Sequence, residues 1–134
     1  MILILPIYFQ QTNVPQQEQE KWITVEATAY TADCKGCIGI TKAGSDVRNT
    51  IYHKNGMRII ATDPSVIPLG SIVEIEGFEE LFIADDIGGK IKGYKIDILM
   101  STKDEAFKWG RRQVKVRIVE ERNCEVRGEL NVIK

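Results

Sequence analysis

The stretch "IADDIGGKIKGYKIDILM" (83–100) packs three aspartates, three glycines and three lysines into eighteen positions. Apolar residues alternate on both sides of a glycine-rich middle, the pattern of two short strands joined by a tight turn. In "YKIDILM" (94–100), Ile96, Ile98 and Met100 share one face and Lys95, Asp97 and Leu99 the other. A turn calls for glycine and a strand for isoleucine, but neither calls for Asp86 at the end of one strand or Asp97 in the middle of the next. An exposed aspartate in a turn is cheap, and Asp85 fits that description. Asp97 is different: flanked by Ile96 and Ile98 and following a strand that ends in Asp86, it is partly desolvated and feels a second negative charge. Both effects raise a carboxyl pKa. The residues alone favour a structural or metal-binding pair slightly over a catalytic one.

Working outward, the same alternation recurs. "WITVEATAY" (22–30), "MRIIATD" (57–63), "SIVEIEG" (71–77), "ELFIADD" (80–86) and "QVKVRIV" (113–119) read as strands beside 94–100. "STKDEAFKWG" (101–110) is the one helical segment, with Thr102 as N-cap, Glu105 three residues on as a capping box, and Gly110 as the stop. Phe107 and Trp109 are expected in the core. "DPSVIPLG" (63–70) is a rigid connection carrying two prolines. Six short strands and one small helix predict a mainly β fold, a closed or nearly closed barrel.

The chain has 134 residues, enough for a single core, with 43% hydrophobic and 28% charged residues. Its formal net charge of -1 argues against nucleic acid as a partner, because Lys and Arg are matched by Asp and Glu. "MILILPIYF" (1–9) is apolar but interrupted by Pro6, and it falls short of the roughly 20 apolar residues of a membrane-spanning helix. It also shows no basic n-region or cleavage site of a secretory signal. A Gln-rich stretch follows, which reads as a linker. The expected organisation is an apolar stub and linker over 1–21, a β-barrel domain over 22–122 and a tail over 123–134. Cys34 and Cys37 form a C-x-x-C, with Cys124 distant and His53 the single histidine. A structural zinc would need all four to converge, so a small loop disulfide or two free thiols is the better reading. No cofactor and no metal are called for.

Four segments together carry a resemblance: "ATAYTADCKGCIGIT" (27–41), "IIATDPSVIPLGSIVEIEGF" (59–78), 83–100, and "EAFKWGRRQVKVRIV" (105–119). In this order they resemble the three-aspartate (3D) domain family. That family includes stationary-phase survival proteins, phage endolysin modules and the catalytic core of membrane-bound lytic transglycosylase A. D-P-x-V-I-P-L-G, D-x-G-G-x-I-K-G and the I-D strand occur together. The resemblance implies a six-stranded double-psi β-barrel. It places the three namesake aspartates at Asp63, Asp86 and Asp97. The sequence departs from the pattern twice: Asp85 stands where the family has a small residue, and "EGFEEL" is a residue longer. A register slip would exchange Asp85 for Asp86, although the glycines that follow favour Asp86.

The resemblance implies a lytic transglycosylase, which cleaves the β-1,4 bond between N-acetylmuramic acid and N-acetylglucosamine without water and leaves a 1,6-anhydro end. One carboxyl of raised pKa can serve both steps, and Asp97 is the implied acid and base, with Asp86 and Asp63 orienting it. Thr28, Tyr30, Thr31, Thr41 and Lys92 are the implied substrate-binding residues. Tyr30 reads equally as a core-edge residue, and Lys92 reads better as a solvated turn lysine. The expected partner is the glycan strand of peptidoglycan. The expected location is outside the cytoplasm, wall-associated or secreted, or that of a phage lysin. The alternatives are a muramidase that adds water and a non-catalytic wall-binding or loosening module, in which the aspartates hold a cation or hydrogen-bond glycan.

Overall fold

A computed structural model describes residues 22–120. The expected stub, linker and tail, and Cys124, lie outside the described residues. The strands are β1 (Trp22–Tyr30), β2 (Arg58–Thr62), β3 (Ile72–Ile75), β4 (Leu81–Asp86), β5 (Lys95–Leu99) and β6 (Arg112–Glu120), with one helix, α1 (Lys103–Trp109), between the last two. They close into a barrel in the order β1-β5-β2-β4-β3-β6. Two neighbouring pairs are parallel, β1 with β5 and β2 with β4. In each case a later strand is inserted between two earlier consecutive ones, β5 between β1 and β2 and β4 between β2 and β3. That insertion pattern is consistent with the double-psi arrangement.

Alternation along each strand decides what fills the barrel. Val25, Ala27, Ile60, Val73, Ile75, Phe82, Ala84, Ile96, Ile98 and Val116 point inward and form one cluster with Ile67 and Met100. On the outer wall a second, smaller cluster of Val47, Ile59, Ile83 and Leu99 is covered by the segment between β1 and β2. Every residue of β2 is therefore buried, on both faces. This second core was not foreseen, because residues 31–57 show no helix or strand period.

The cap of α1 follows the sequence, with one displacement. Thr102 Oγ1 accepts from Glu105 N at 3.1 Å, but the Glu105 carboxylate accepts from Ser101, one residue before the cap, instead of from Thr102. Trp109 packs at a tilt beside Phe78, with 45° between the ring planes, and donates its indole N–H to Ala27 O at 3.0 Å, tying the helix to β1. Phe107 does not join the core; it is 86% exposed. Two positions along an α-helix turn a side chain by about 200°, so with Trp109 facing β1 Phe107 faces away. No helix among the described residues is long and apolar enough to cross a membrane.

Candidate active site

β5 holds Asp97 on the outer face of the barrel, the face of Leu99, because Ile96 and Ile98 occupy the interior. Its neighbour on β2 is Ala61. On the other side of β2, the register against β4 breaks between Ile60 and Ala61. Ile60 stands opposite Ala84, but Ala61 stands opposite Asp86, so Asp85 is the extra residue of a bulge. Without that extra residue Asp85 would stand opposite Ala61. With it, Asp86 comes level with Asp97, and the small side chain of Ala61 lies between them. Tyr30, Ala61, Asp86, Gly88, Gly89 and Asp97 together line one cleft of about 350 Å³.

The two carboxylates differ in what holds them. Asp86 has both oxygens engaged: Oδ2 accepts from the Tyr30 hydroxyl at 3.0 Å, and Oδ1 accepts from Lys42 N at 2.9 Å and its neighbour Ile87 N at 3.0 Å. Asp97 accepts through Oδ1 from the Thr28 hydroxyl at 2.9 Å, and Thr28 is its register partner on β1. No protein donor among the described residues reaches Asp97 Oδ2. Burial pushes the Asp97 carboxyl above its ordinary range, the Thr28 hydrogen bond pulls it partly back, and the Asp86 charge adds to the rise. Tyr30 is raised well above the ordinary range of a phenol, by burial first and by Asp86 next, so it stays protonated and remains a donor.

Asp63 does not line this cleft. It closes β2, and its Oδ2 accepts from Gly93 N at 2.6 Å while Oδ1 accepts from Ser65 N and Oγ. Gly93 has φ 74°, a left-handed turn that a side chain would strain. These hydrogen bonds, Gly93 first and Ser65 next, hold the Asp63 carboxyl down at about 2. The structure thus brings Asp86 and Asp97 together and assigns Asp63 to fastening the connection between them. Within that connection, a Cβ on Gly88 would meet Ile91 Cγ1 at 2.8 Å, so only glycine lets the turn fold back over Ile91.

Asp85 is not the exposed turn residue it resembles in the sequence. It is 3% exposed and accepts from the Thr41 hydroxyl at 2.7 Å. His53 Nδ1 accepts from Asn55 N, which leaves Nε2 facing Asp85 Oδ1 at 3.8 Å. Asp85 O also accepts from Ala43 N, so the 41–45 turn is clamped to the Asp85–Asp86 pair at several points. Nothing in the residue pattern announces this, since the bulge at Asp85 depends on the β2–β4 register and its cover comes from the 41–53 stretch.

The other expected binding residues fall into three situations. Thr28 and Tyr30 hold the two carboxylates. Thr31 and Thr41 are each 5% exposed, with their hydroxyls committed to Asp33 and Asp85. Lys92 is exposed in the turn before β5. Cys34 and Cys37 are joined as a disulfide on the rim of the cleft.

Comparison with known proteins bears on this arrangement. A model of the 3D domain matches residues 58–120, the span that contains Asp63, Asp86 and Asp97. The chain carries a 3D domain over these residues. β1, with Thr28 and Tyr30, and the whole 31–57 segment precede the matched span of the 3D domain. Among curated relatives, the cell wall-binding protein YocH of Bacillus subtilis (strain 168) is 46% identical over 110 residues, covering 81% of this chain and 36% of its own length. The SPbeta prophage-derived uncharacterized protein YorM of the same organism is 54% identical over 95 residues, covering 69% of this chain and 40% of its own. The putative cell wall shaping protein YabE, also from that organism, is 46% identical over 99 residues, covering 74% and 23%. The chain thus spans well under half the length of each of these relatives. A crystal structure of MltA from E. coli is similar over 65% of this chain and 29% of its own, with 22% identity and a TM-score of 0.45. That likeness is too weak to argue from.

Proposed function

We propose that this 3D domain is a lytic transglycosylase of peptidoglycan glycan strands, with Asp97 as its acid and base. The observation that carries the reading is the asymmetry of the carboxylate pair. Asp86 has both oxygens occupied by fixed donors, whereas Asp97 keeps Oδ2 free in the cleft and has its proton affinity raised. Protonated Asp97 donates to the glycosidic oxygen as the bond from muramyl C1 breaks. The resulting carboxylate then takes the proton of the muramyl C6 hydroxyl as that oxygen bonds to C1, so the proton count closes and no water enters. A hydrolase using two carboxyls needs the second one free to act as base or nucleophile. Asp86, held by Tyr30 and two backbone amides, is better suited to hold the cleft's shape and to sustain the proton on Asp97 by its charge.

One observation favours a second reading, a wall-binding module without catalysis: the name of the relative YocH refers to cell wall binding. Digesting purified peptidoglycan and weighing the released muropeptides separates the readings. Anhydro ends support transglycosylation, reducing ends indicate hydrolysis, and pelleting with the wall but no release leaves the binding module.

A further inference from the structure

Beyond the ridge formed by the Cys34–Cys37 loop lies a second, larger cleft of about 780 Å³, within the range usual for ligand sites. Ala32, Cys37, Ile38, Gly39 and Val47 line both clefts, so the two adjoin across the disulfide-braced loop. We propose that this second cleft binds further pyranose units of the same glycan strand whose linkage lies at Asp97. The inference rests on the glycan reading above and deepens it by naming where the strand continues.

The chemistry of the walls selects the occupant. Val47 and Met100 form an apolar floor, 5% and 7% exposed. Asn49, Thr50 and Ser101 supply amide and hydroxyl groups at the rim, and no hydrogen bond engages the Asn49 side chain among the described residues. Ile38 is 75% exposed and Tyr52 43%. Both lie on the cleft, and with Ile40 they make three of the eight large exposed hydrophobic residues among the described residues, these three falling within residues 38–52. Apolar side chains gathered in this way around a concave surface mark a binding site more than isolated ones do.

Charge excludes the competing occupants. Arg48 is in the wall, but its Nε and Nη2 bind Asp46 at 3.0 and 2.6 Å, so its charge is matched. Asp33 accepts the Thr31 hydroxyl at 2.8 Å. A phosphate-rich or acidic partner would require an unmatched cation here, and a basic one a cluster of free carboxylates. A wall with apolar patches, amide and hydroxyl rims and one carboxylate, Asp33, suits the apolar ring faces, equatorial hydroxyls and acetamido methyl groups of N-acetylated sugars.

The test uses peptide-free glycan oligomers of two and of six sugars, titrated calorimetrically into the protein in an Asp97→Asn background to suppress turnover. The six-sugar oligomer is expected to bind about tenfold tighter than the disaccharide, from the added apolar burial. Tyr52→Ser combined with Asn49→Ala, both at exposed positions that line the second cleft and not the first, should remove most of that gain and leave disaccharide affinity unchanged. Equal binding of the long oligomer by variant and parent overturns the proposal. So does saturation of the cleft by free stem peptide in a manner the double substitution abolishes, because the occupant would then be peptide. Failure of the transglycosylase reading shows elsewhere, as wild-type protein that releases no anhydro ends, whatever these titrations give.

Discussion

Asp86 and Asp97 share a register partner: each stands directly opposite Ala61, one from β4 and one from β5. Two strand spacings separate their backbones, about 10 Å. The side chain between them is the smallest that a regular strand carries short of glycine. The cleft exists because of this arrangement, and the bulge at Asp85 creates it.

Thr28 sets how far the Asp97 proton affinity rises. Its hydroxyl lowers the Asp97 pKa, opposing burial and the Asp86 charge. Thr28→Val keeps the shape and removes the donor, so the Asp97 pKa should rise further. Cleavage needs protonated Asp97 at its first step, and the alkaline limb of the pH–rate profile should therefore move to higher pH. A limb that stays in place, or moves to lower pH, would remove Asp97 from the acid role.

Tyr30 is expected to act through Asp86. Tyr30→Phe deletes one donor to a carboxylate, a loss of about 1.5–3 kcal/mol for a hydrogen bond to a charged group. Release of products should fall, with a smaller change in binding to insoluble wall, because Asp86 loses one of its three fixed contacts. Fluorescence-monitored unfolding should show the stability loss. A variant as stable and as active as wild type would contradict the hydrogen bond.

The acid sensitivity of the fold should include a contribution from Asp63. Its folded pKa is held at about 2, below the ordinary 3.8, by Gly93 first and Ser65 next. A depressed carboxyl stabilises the folded state above its ordinary pKa, and that stability is lost as pH falls toward the folded value. Asp63→Ala should therefore melt below wild type at pH 6, with the gap closing between about pH 4 and 2. A gap that does not change with pH would mean that Asp63 contributes no charge-dependent contact.

Much of this was legible in the residues. The strands fell within a residue or two of their expected places, because alternation of Val114, Val116 and Ile118 against Lys115 and Arg117 leaves little choice of face. The pairing of Thr102 with Glu105 marked the helix. The outward face of Asp97 was not legible, since alternation says that Asp97 and Ile96 oppose each other but not which side is the interior. Leu99 shares the face of the half-buried Asp97 and is itself buried, within the second cluster. The burial of Asp85 and the levelling of Asp86 with Asp97 depend on a single extra residue in the β2–β4 register, which no local pattern records. Phe107 and Trp109 look alike in the sequence, and only the contact of Trp109 with Ala27 O and Phe78 tells them apart.

The central claim is that Asp97 gives and then takes the proton in a water-free cleavage, and Asp97→Asn tests it most directly. Asn preserves the size and can still accept the Thr28 hydroxyl. Because the folded carboxyl is raised, its ionisation costs stability at neutral pH and nothing below about pH 4. The variant should thus be as stable as wild type or more so at pH 7, with the advantage disappearing in acid. Pelleting with insoluble peptidoglycan should be retained. The decisive measurement is the mass-resolved yield of anhydro-muropeptides from purified peptidoglycan. The account predicts that wild type releases them and that Asp97→Asn lowers the rate by at least ~10². Release by a folded Asp97→Asn variant at the wild-type rate would contradict it.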